Sequence, residues 1–535
     1  NGDGRGDVIG TRGWLEAPED RRRGRWRWRP EFKLHRDCSI PILVLDVDED
    51  GDADLVYGRA HNIGVVWVEQ VREGDARRWV RHVIDTSWSQ PHSLIAADID
   101  ADGKQEVLAC KRYLGHDGKD VGEHDPLCAY WYDFLPESRT WKRGVISEGG
   151  RVGYGLDPKA ADLDGDGDLD VLAAGRSGLY WMENLLVHQG ERPKIPVAVL
   201  PRYDDHAHLL SRRDANGAEH PVASHADWAI RRAHILAHMQ EVMGKLPDSS
   251  RRSPLDVKVI EEKETPEYVR KKITYVAEPG DRVPAYLFVP KNPSDKTPAV
   301  LCLHQTNRGG KDEPAGLGEG GNANLHYAHE LAARGYVCLA PDYPSFGEYH
   351  YDFKTQGKDY ASGSMKAIWN NLRAVDLLDA LPEVDPDRIG CIGHSLGGHN
   401  AMFTAAFDQR IRATVSSCGF TGFHDYKGGD LAGWTSDRYM PRIRDVHRND
   451  PNRMPFDFHE VVAAMAPRAF FSNSPIGDGN FDVGGVKKVV ASASKVYALL
   501  KASDRLQVVH PDCGHDFPQD VREQAYRFLD QHLKR

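Results

Sequence analysis

One five-residue motif, Gly393-His-Ser-Leu-Gly397, constrains the fold of this chain more than any other feature. It follows a short apolar run, Ile389–Ile392, and precedes a helical stretch from Gly398 to Phe407. A Gly-x-Ser-x-Gly motif between a strand and a helix is typical of a nucleophile elbow, because its glycines allow the strained turn that exposes the serine hydroxyl. The motif therefore predicts a layered α/β fold with Ser395 as the nucleophile.

The second half of the chain alternates apolar runs with helical stretches. The apolar runs are Ala299–Leu303, Tyr336–Ala340, Ile389–Ile392, Ala413–Ser416, Ala469–Phe471 and Leu506–Val509. Helical stretches such as Ala323–Arg334 and Ser364–Leu381 lie between them, and Ser224-x-x-Asp227 predicts a capped helix start upstream. Such alternation predicts a mainly parallel sheet with helices on both faces. We therefore expect residues 225–535 to form one α/β domain.

A serine nucleophile needs a base and an acid, and behind an elbow the chain order is serine, acid, histidine. His515 lies between the last apolar run and the C-terminal helical stretch and is the expected base, with His510 as the alternative. Asp478 and Asp482 both follow the run Ala469–Asn473. We favour Asp478, because it stands in a Gly-flanked turn soon after the strand and can reach back towards the histidine.

Two backbone N–H groups are expected to form the oxyanion hole. One belongs to Leu396, the residue after the nucleophile, and the other to the loop that follows the first apolar run of this half. By position in His304-Gln-Thr306 the second donor is Thr306, with Gln305 as the alternative.

The segment Gly419–Asp457 is longer than a simple connection. It contains Tyr426, Trp434, Arg438, Tyr439 and Arg442. Aromatic faces suit sugar rings and arginines suit uronate carboxylates, so one interpretation is a substrate wall or lid. The other interpretation is a packed surface subdomain, and the sequence leaves both open.

The first third of the chain repeats an acidic pattern, Asp-x-Asp-x-Asp-Gly-x-x-Asp/Glu, followed by two apolar residues. Complete copies are Asp46–Val56, Asp98–Leu108 and Asp162–Leu172, and a clipped copy opens the chain at Asn1–Ile9. Carboxylates at this spacing converge on a hard cation such as Ca²⁺. In an EF-hand a Glu ligand and a second helix follow the acidic positions, but here apolar, strand-like residues follow them. We therefore predict calcium loops between strands. The alternative is that these segments are acidic turns that bind no cation. The predicted ligands are Asp46, Asp48, Asp50, Asp54, Asp98, Asp100, Asp102, Glu106, Asp162, Asp164, Asp166 and Asp170.

Aromatic, strand-like runs follow the complete copies at Gly64–Glu69, Cys128–Tyr132 and Gly178–Glu183. The third Asp of each copy falls at residues 3, 50, 102 and 166, which gives spacings of 47, 52 and 64 residues. Short strands at such a period are typical of propeller blades. We expect blades over residues 1–190 and a polar linker over 191–224. Because so few copies cannot close a ring, we also expect further blades upstream.

Composition argues against two classes of partner. The net charge is −11, from 69 Lys and Arg against 80 Asp and Glu, and a nucleic-acid-binding protein is usually basic. No run approaches the roughly 18 apolar residues of a membrane span.

The chain begins at Asn1 without a signal-peptide segment, so we expect that a leader has been removed or that the chain is part of a longer one. The oligomeric state is not predicted.

Two resemblances to known families rest on these motifs. The repeats in residues 1–190 resemble the FG-GAP/VCBS repeats of integrin-like β-propellers. Residues 225–535 are similar to the dienelactone-hydrolase-like branch of the α/β-hydrolases, nearest to acetyl xylan esterase-type proteins. The motifs that carry this second resemblance are His304-Gln-Thr306, Ala340-Pro-Asp-Tyr-Pro-Ser-Phe-Gly347, Gly393-His-Ser-Leu-Gly-Gly398, Ile476-Gly-Asp-Gly-Asn-Phe481 and Gly514-His515. The chain departs from the common His-Gly pattern at His304-Gln305.

The second resemblance implies a serine esterase that removes acetyl or related acyl groups from plant or algal polysaccharide. Such an enzyme is expected to be secreted or periplasmic, with the calcium-loop module binding or positioning the substrate. Prolyl oligopeptidase-like peptidases also place a propeller before an α/β-hydrolase, but their acid stands in an Asp-x-x-Val-Pro context, and here the stretch reads Asp478-Gly-Asn-Phe481. A calcium-dependent adhesion protein with an inert hydrolase half is the third function, and the intact set of Ser395, Asp478 and His515 argues against it.

Overall fold

The computed structural model describes residues 3–74, 76–150, 152–185, 200–214, 216–291, 296–318 and 321–534. It divides the chain into two compact units. The strand-rich unit comprises Asn1–Val197 and Asp248–Pro254, and the hydrolase-like unit comprises Ala198–Pro247 and Leu255–Arg535. Among the described helices, none is both long and apolar enough to cross a membrane.

The described residues of the strand-rich unit form four consecutive antiparallel sheets, each built from neighbouring strands in chain order. The strands of the first two sheets are β1 (Val8–Gly10), β2 (Gly13–Glu16), β3 (Arg27–Arg29), then β4 (Leu43–Leu45), β5 (Asp54–Gly58), β6 (Ile63–Glu73) and β7 (Ala76–Ser89). Those of the last two are β8 (Pro91–Ala97), β9 (Glu106–Lys111), β10 (Leu127–Leu135), β11 (Thr140–Gly150), then β12 (Lys159–Ala161), β13 (Asp170–Gly175) and β14 (Gly178–Met182).

Each complete acidic copy occupies the same place in its sheet. The copies join β4 to β5, β8 to β9 and β12 to β13, and the aromatic runs lie in the strands that come next, β6, β10 and β14. The loops therefore connect strands and not helices, as the sequence predicts. Meanders of this kind resemble blades, but the closed ring of a propeller stays a prediction.

The hydrolase-like unit is built on a nine-stranded sheet with the order β17-β18-β19-β21-β20-β22-β23-β24-β25. Its strands are β17 (Lys258–Glu264), β18 (Tyr268–Glu278), β19 (Asp281–Pro290), β20 (Thr297–Leu303), β21 (Val337–Pro341), β22 (Val384–His394), β23 (Ile411–Ser417), β24 (Ala469–Asn473) and β25 (Leu506–Val509). Six neighbouring strands of this sheet run parallel, namely β21, β20, β22, β23, β24 and β25. The strands β17, β18 and β19 add an antiparallel edge. The sheet is therefore mixed, with the predicted parallel part extending from its middle to the edge strand β25.

Helices cover both faces of this sheet. They are α1 (His225–Met243), α2 (Tyr327–Ala333), α3 (Gly363–Ala380), α4 (Leu396–Phe407), α5 (Arg442–Asp445), α6 (Phe458–Ala464), α7 (Val483–Leu499) and α8 (Gln519–Leu533). Alternate residues of β20 separate the two cores: Leu301 packs in the cluster that includes α1, α3 and α7, whereas Cys302 packs with α2 and α8. This alternation follows from the period of two in a strand.

The segment before α1 differs from the predicted linker. Residues 186–199 lie outside the described part of the chain, but residues 200–224 belong to the hydrolase-like unit. They form a hairpin of β15 (Ser211–Arg213) and β16 (Glu219–Pro221), and Leu209 and Val222 are buried in the core. The predicted capping box is confirmed, because the Ser224 hydroxyl accepts the N–H of Asp227 and the Asp227 carboxylate accepts the N–H of Ser224.

Candidate active site

Ser395 occupies the turn between β22 and α4. Its backbone has φ +53° and ψ −116°, a conformation that a non-glycine residue adopts only where its surroundings hold it there. Gly397 must be glycine, because a Cβ atom at that position would lie 2.0 Å from the carbonyl oxygen of Leu303. The elbow is thus packed directly against the end of β20, the strand that leads into the expected oxyanion loop.

Asp478 and His515 form a hydrogen-bonded pair. The Nδ1 atom of His515 lies 3.0 Å from each carboxylate oxygen of Asp478. Burial alone would raise the pKa of Asp478, but the hydrogen bonds from His515 and from the backbone N–H groups of Asn480 and Phe481 outweigh it and hold that pKa below its usual value. Asp478 is therefore ionised and can orient the imidazole.

The two alternative residues have other partners. Asp482 caps α7, where its carboxylate accepts the N–H of Gly485 at 2.8 Å. His510 contacts the carbonyl oxygen of Ser474 through Nδ1 at 2.8 Å. The structure thus brings Asp478, and not Asp482, to His515.

Two histidine rings meet beside the nucleophile. The ring of His515 packs edge-on against that of His394, the residue before Ser395, with centroids 4.8 Å apart. Burial, with a further effect from the neighbouring His515, lowers the pKa of His394 to about 3. His394 is therefore neutral at physiological pH and places no positive charge next to the base. In the described part of the chain no hydrogen bond joins the Ser395 hydroxyl to His515, and such bonds are often long in unliganded serine hydrolases.

A short hydrogen-bond network that the sequence analysis did not identify holds these groups in place. The backbone N–H of Ser395 donates to the carbonyl oxygen of Ser417 at 2.8 Å, and Nδ1 of His394 lies 2.9 Å from the Ser417 hydroxyl. Asn473 donates to the same hydroxyl at 2.8 Å and to the carbonyl oxygen of Asp516 at 2.9 Å. The ends of β22, β23 and β24 are thereby tied to the loop that carries His515. Ser417 and Asn473 lie at strand ends, which is the one sequence signal that could have indicated them.

The expected oxyanion donors belong to the elbow itself and to the loop after β20. Leu396 is the first residue of α4, where backbone N–H groups have no partner within the helix. Thr306 follows β20, and its hydroxyl lies 2.9 Å from the hydroxyl of Tyr439. Tyr439 also packs against the cluster that contains Leu396. Which backbone N–H group is the second donor stays a prediction, but the structure adds Tyr439 to this side of the site.

The aromatic residues of the segment Gly419–Asp457 are mostly core and not a sugar-binding wall. Trp434 is 3% exposed and Tyr426 is 7% exposed. Their rings pack against each other and against Phe481, so they cannot offer a face to a sugar. Arg442 is also engaged, because it donates to the carbonyl oxygen of Glu241. Of the residues singled out in this segment, Arg438 is exposed and Tyr439 is half-buried.

The three acidic loops share one internal geometry. In each, the first Asp accepts the N–H of the Gly five residues later, and the fifth-position Asp accepts the N–H two residues later. The carboxylates at positions one, three and five converge, with ligand atoms within 4.8 Å of one another, in Asp46, Asp48 and Asp50, in Asp98, Asp100 and Asp102, and in Asp162, Asp164 and Asp166. A hard oxygen donor set of this kind fits Ca²⁺.

The ninth position differs between the loops. Glu106 lies within the second cluster, whereas Asp54 and Asp170 do not reach the other two. Asp54 accepts hydrogen bonds from the indole of Trp67 and the N–H of Gln70, and Asp170 accepts the N–H of Asn184. The second loop therefore brings together all four predicted carboxylates, and the other two bring together three each.

A comparison with curated proteins identifies the family. YtaP of Bacillus subtilis (strain 168), a protein whose name describes it as a hydrolase, is 30% identical over 314 residues, which cover 56% of this chain and all of YtaP. This chain belongs to the YtaP hydrolase family. Residues 346–501, which include Ser395 and Asp478, also match the family model "Glucuronyl esterase, fungi", and residues 46–109 match "FG-GAP-like repeat".

Further relatives of this hydrolase are named as carbohydrate esterases. A 4-O-methyl-glucuronoyl methylesterase of Sodiomyces alcalophilus is 27% identical over 135 residues, which cover 22% of this chain and 27% of that protein. The solved structure of a glucuronoyl esterase from Solibacter usitatus has 22% identity and a TM-score of 0.50, and the match covers 63% of this chain and 99% of that one. At this identity the structural likeness shows the α/β-hydrolase fold alone.

Proposed function

We propose that this member of the YtaP hydrolase family is a serine carboxylic-ester hydrolase that acts on esters of plant or algal polysaccharide. The observation that carries the reaction type is the ionised Asp478 bonded to His515 beside the Ser395 elbow. The support for the substrate class is the match of residues 346–501 to an esterase family and the carbohydrate esterases among the relatives.

The proposed reaction proceeds through an acyl-enzyme. Nε2 of His515 accepts the proton of Ser395 as the serine oxygen attacks the ester carbonyl carbon. Asp478 holds the imidazole in the tautomer with Nδ1–H and stabilises the imidazolium that forms. The N–H groups of Leu396 and Thr306 stabilise the oxyanion, and one such donor contributes about 2.7–4 kcal/mol. The imidazolium returns its proton to the leaving alcohol, and water activated by His515 then releases the acid.

Two carbohydrate esters are candidates for the scissile bond. Removal of O-acetyl or related acyl groups would release acetate and leave the sugar as the alcohol. The family match favours a second bond, the ester of a uronic acid, in which the sugar supplies the acyl group. The exposed guanidinium of Arg438 stacks over Phe346 at 4.6 Å, next to the cluster that contains Leu396, and could contact a carboxylate of an acidic polysaccharide.

The strand-rich unit is proposed to be a calcium-stabilised module that binds or positions the polysaccharide. A secreted or periplasmic location follows from such a substrate, and millimolar extracellular calcium would keep weak loops occupied.

The experiment compares acetate release from acetylated xylan with methanol release from methyl-esterified glucuronoxylan. Wild type is measured beside Ser395→Ala. Asp482→Asn is the control, because it removes the charge of a nearby carboxylate that is not bonded to His515. Release of either product that is lost only in Ser395→Ala supports the proposal and identifies the bond. Hydrolysis of a prolyl peptide, but of neither polysaccharide, would favour the peptidase function over the esterase function. If none of these substrates is hydrolysed, the result favours an adhesion protein with an inert hydrolase half.

A further inference from the structure

A tryptophan recurs at one position in all four sheets of the strand-rich unit. It lies in the second strand after each acidic loop or its clipped copy, and an acidic residue stands two positions after it. Its cross-strand partner is the second apolar residue behind the loop. The pairs are Ile9 with Trp14, Val56 with Trp67, Leu108 with Trp131 and Leu172 with Trp181. Equivalent residues can therefore be compared from sheet to sheet.

In three sheets this tryptophan forms the contact with the next sheet. Each shares an apolar cluster with the first apolar residue behind the loop of the following sheet: Trp14 with Leu55, Trp67 with Val107, and Trp131 with Val171. These six residues are at most 7% exposed. Because side chains alternate along a strand, the two apolar residues behind a loop face opposite ways. The first faces the preceding sheet, and the second faces the following sheet together with the tryptophan.

Among the residues that the structure describes, the first and last sheets each expose one half of this contact. Trp181 of the last sheet is 54% exposed, and Leu179, two residues earlier on the same face, is 71% exposed. Val8 of the first sheet is 53% exposed. Val8 forms a cross-strand row with Leu15 and Trp28, and Trp28 is 48% exposed. We call these two surfaces the Trp181 face and the Val8 face.

The two faces are complementary in the way that neighbouring sheets of the chain are. The Trp181 face carries the tryptophan side of the contact, and the Val8 face carries the side that receives a tryptophan. Large apolar groups that lie together on a surface mark an interaction site. Because both halves lie on one chain, a second copy brings the complement of each face.

The number of sheets favours a pair of copies. A head-to-tail contact generates a closed ring if its rotation closes and an open filament if it does not. Closed propellers have about 4 to 8 sheets, and two copies of this four-sheet unit supply eight. A third copy would exceed that range. In a closed pair, all four exposed faces are buried.

We propose that the chain forms a homodimer in which the Trp181 face of each copy packs against the Val8 face of the other. The contact repeats the packing that joins the four sheets within one chain. It does not depend on the esterase activity.

The test measures the mass of the full chain by light scattering during size-exclusion chromatography, at micromolar concentration with millimolar Ca²⁺. We expect about twice the chain mass of 59.8 kDa. Trp181→Arg and Val8→Glu should each reduce the mass to that of one chain, because either change places a charge in both apolar contacts of the dimer. Each side chain is about half exposed in the single chain, so both variants should fold, and circular dichroism checks this.

Mixing the two variants tests which faces meet. In a mixed pair one contact keeps Trp181 against Val8, and the other sets the introduced arginine against the introduced glutamate. The mixture should therefore form dimers, although neither variant does so alone. The matched control is Val145→Glu, because Val145 is 57% exposed on β11, in the third sheet and not at either end. It should stay dimeric.

A wild-type chain with the mass of one copy would overturn the proposal and leave the two faces for further sheets of a longer chain. A dimer that persists in both Trp181→Arg and Val8→Glu would also overturn it, because the copies would then meet through other surfaces. Variants that stay monomeric when mixed would refute the pairing of the Trp181 face with the Val8 face.

Discussion

Replacing Asp478 by Asn tests the pairing of the acid and the base most sharply. Both carboxylate oxygens lie 3.0 Å from Nδ1 of His515, and the Asp478 side chain is 1% exposed, so water cannot replace the lost interaction. An Asn amide at this position can donate to Nδ1, which favours the wrong imidazole tautomer. In a serine hydrolase triad this substitution lowers kcat about 10⁴-fold. That factor corresponds to about 5 kcal/mol of transition-state stabilisation.

Asp482→Asn is the matched control, because it makes the same chemical change four residues away. Asp482 caps α7, and Asn is as good a cap as Asp, so both stability and activity should change little. The assay is kcat for a chromogenic acetyl ester, with the thermal unfolding of each variant measured alongside. If Asp482→Asn abolished turnover while Asp478→Asn retained it, the assignment of the acid would be refuted.

Three further predictions concern the oxyanion side, the core and the acidic loops. Tyr439→Phe removes the hydroxyl that contacts Thr306 and should lower kcat about fivefold with KM nearly unchanged, given about 1 kcal/mol for one hydrogen bond; an unchanged kcat would mean that this hydroxyl has no role. Glu460 is fully buried, where desolvation would raise its pKa, but His206 and Arg231 lower that pKa to about 2. The ionised Glu460 therefore adds about 3 kcal/mol to the free energy of unfolding, and this stabilisation is complete above pH 4.5 and is lost as the pH falls towards 2. The urea concentration at the midpoint of unfolding should fall over this pH range, and it should fall less steeply in Glu460→Gln. Removal of calcium with a chelator should lower the unfolding temperature, since calcium at 100 times its Kd adds about 2.7 kcal/mol to the free energy of unfolding. The difference between the unfolding temperatures with and without chelator should be smaller in Asp102→Asn. Equal unfolding temperatures in wild type with and without chelator would contradict calcium binding.

The local part of the site could be predicted from the sequence, because short-range rules determine it. The elbow needs small residues at fixed positions around Ser395, and the backbone of that residue shows the strained turn that the motif implies. The capping box at Ser224 is another local signal, and it was correct. Parallel strands place their carboxyl ends at one edge, which is why Asp478 and His515 could be expected near the elbow from their order alone.

Contacts between distant segments could not be predicted in this way. Trp434 and Tyr439 stand five residues apart in a segment with no regular pattern, yet one is core and the other contacts Thr306. The antiparallel edge of β17, β18 and β19 was not predicted either, because β17 is exposed along its whole length and five of its seven residues are charged. The ninth-position residues Asp54 and Asp170 match the repeat, but they also accept hydrogen bonds from Gln70 and Asn184 on later segments, which the repeat does not indicate.

The central claim is that Ser395 is a nucleophile activated by His515, and covalent labelling tests it most directly. The protein is treated with a fluorophosphonate, which reacts with activated serines, and the adduct is located by peptide mass spectrometry. We expect one adduct per chain on the peptide that contains Ser395, none in Ser395→Ala, and much slower labelling in His515→Ala. Failure of the wild-type chain to label, or equal labelling of Ser395→Ala, would contradict the assignment of this residue as the nucleophile.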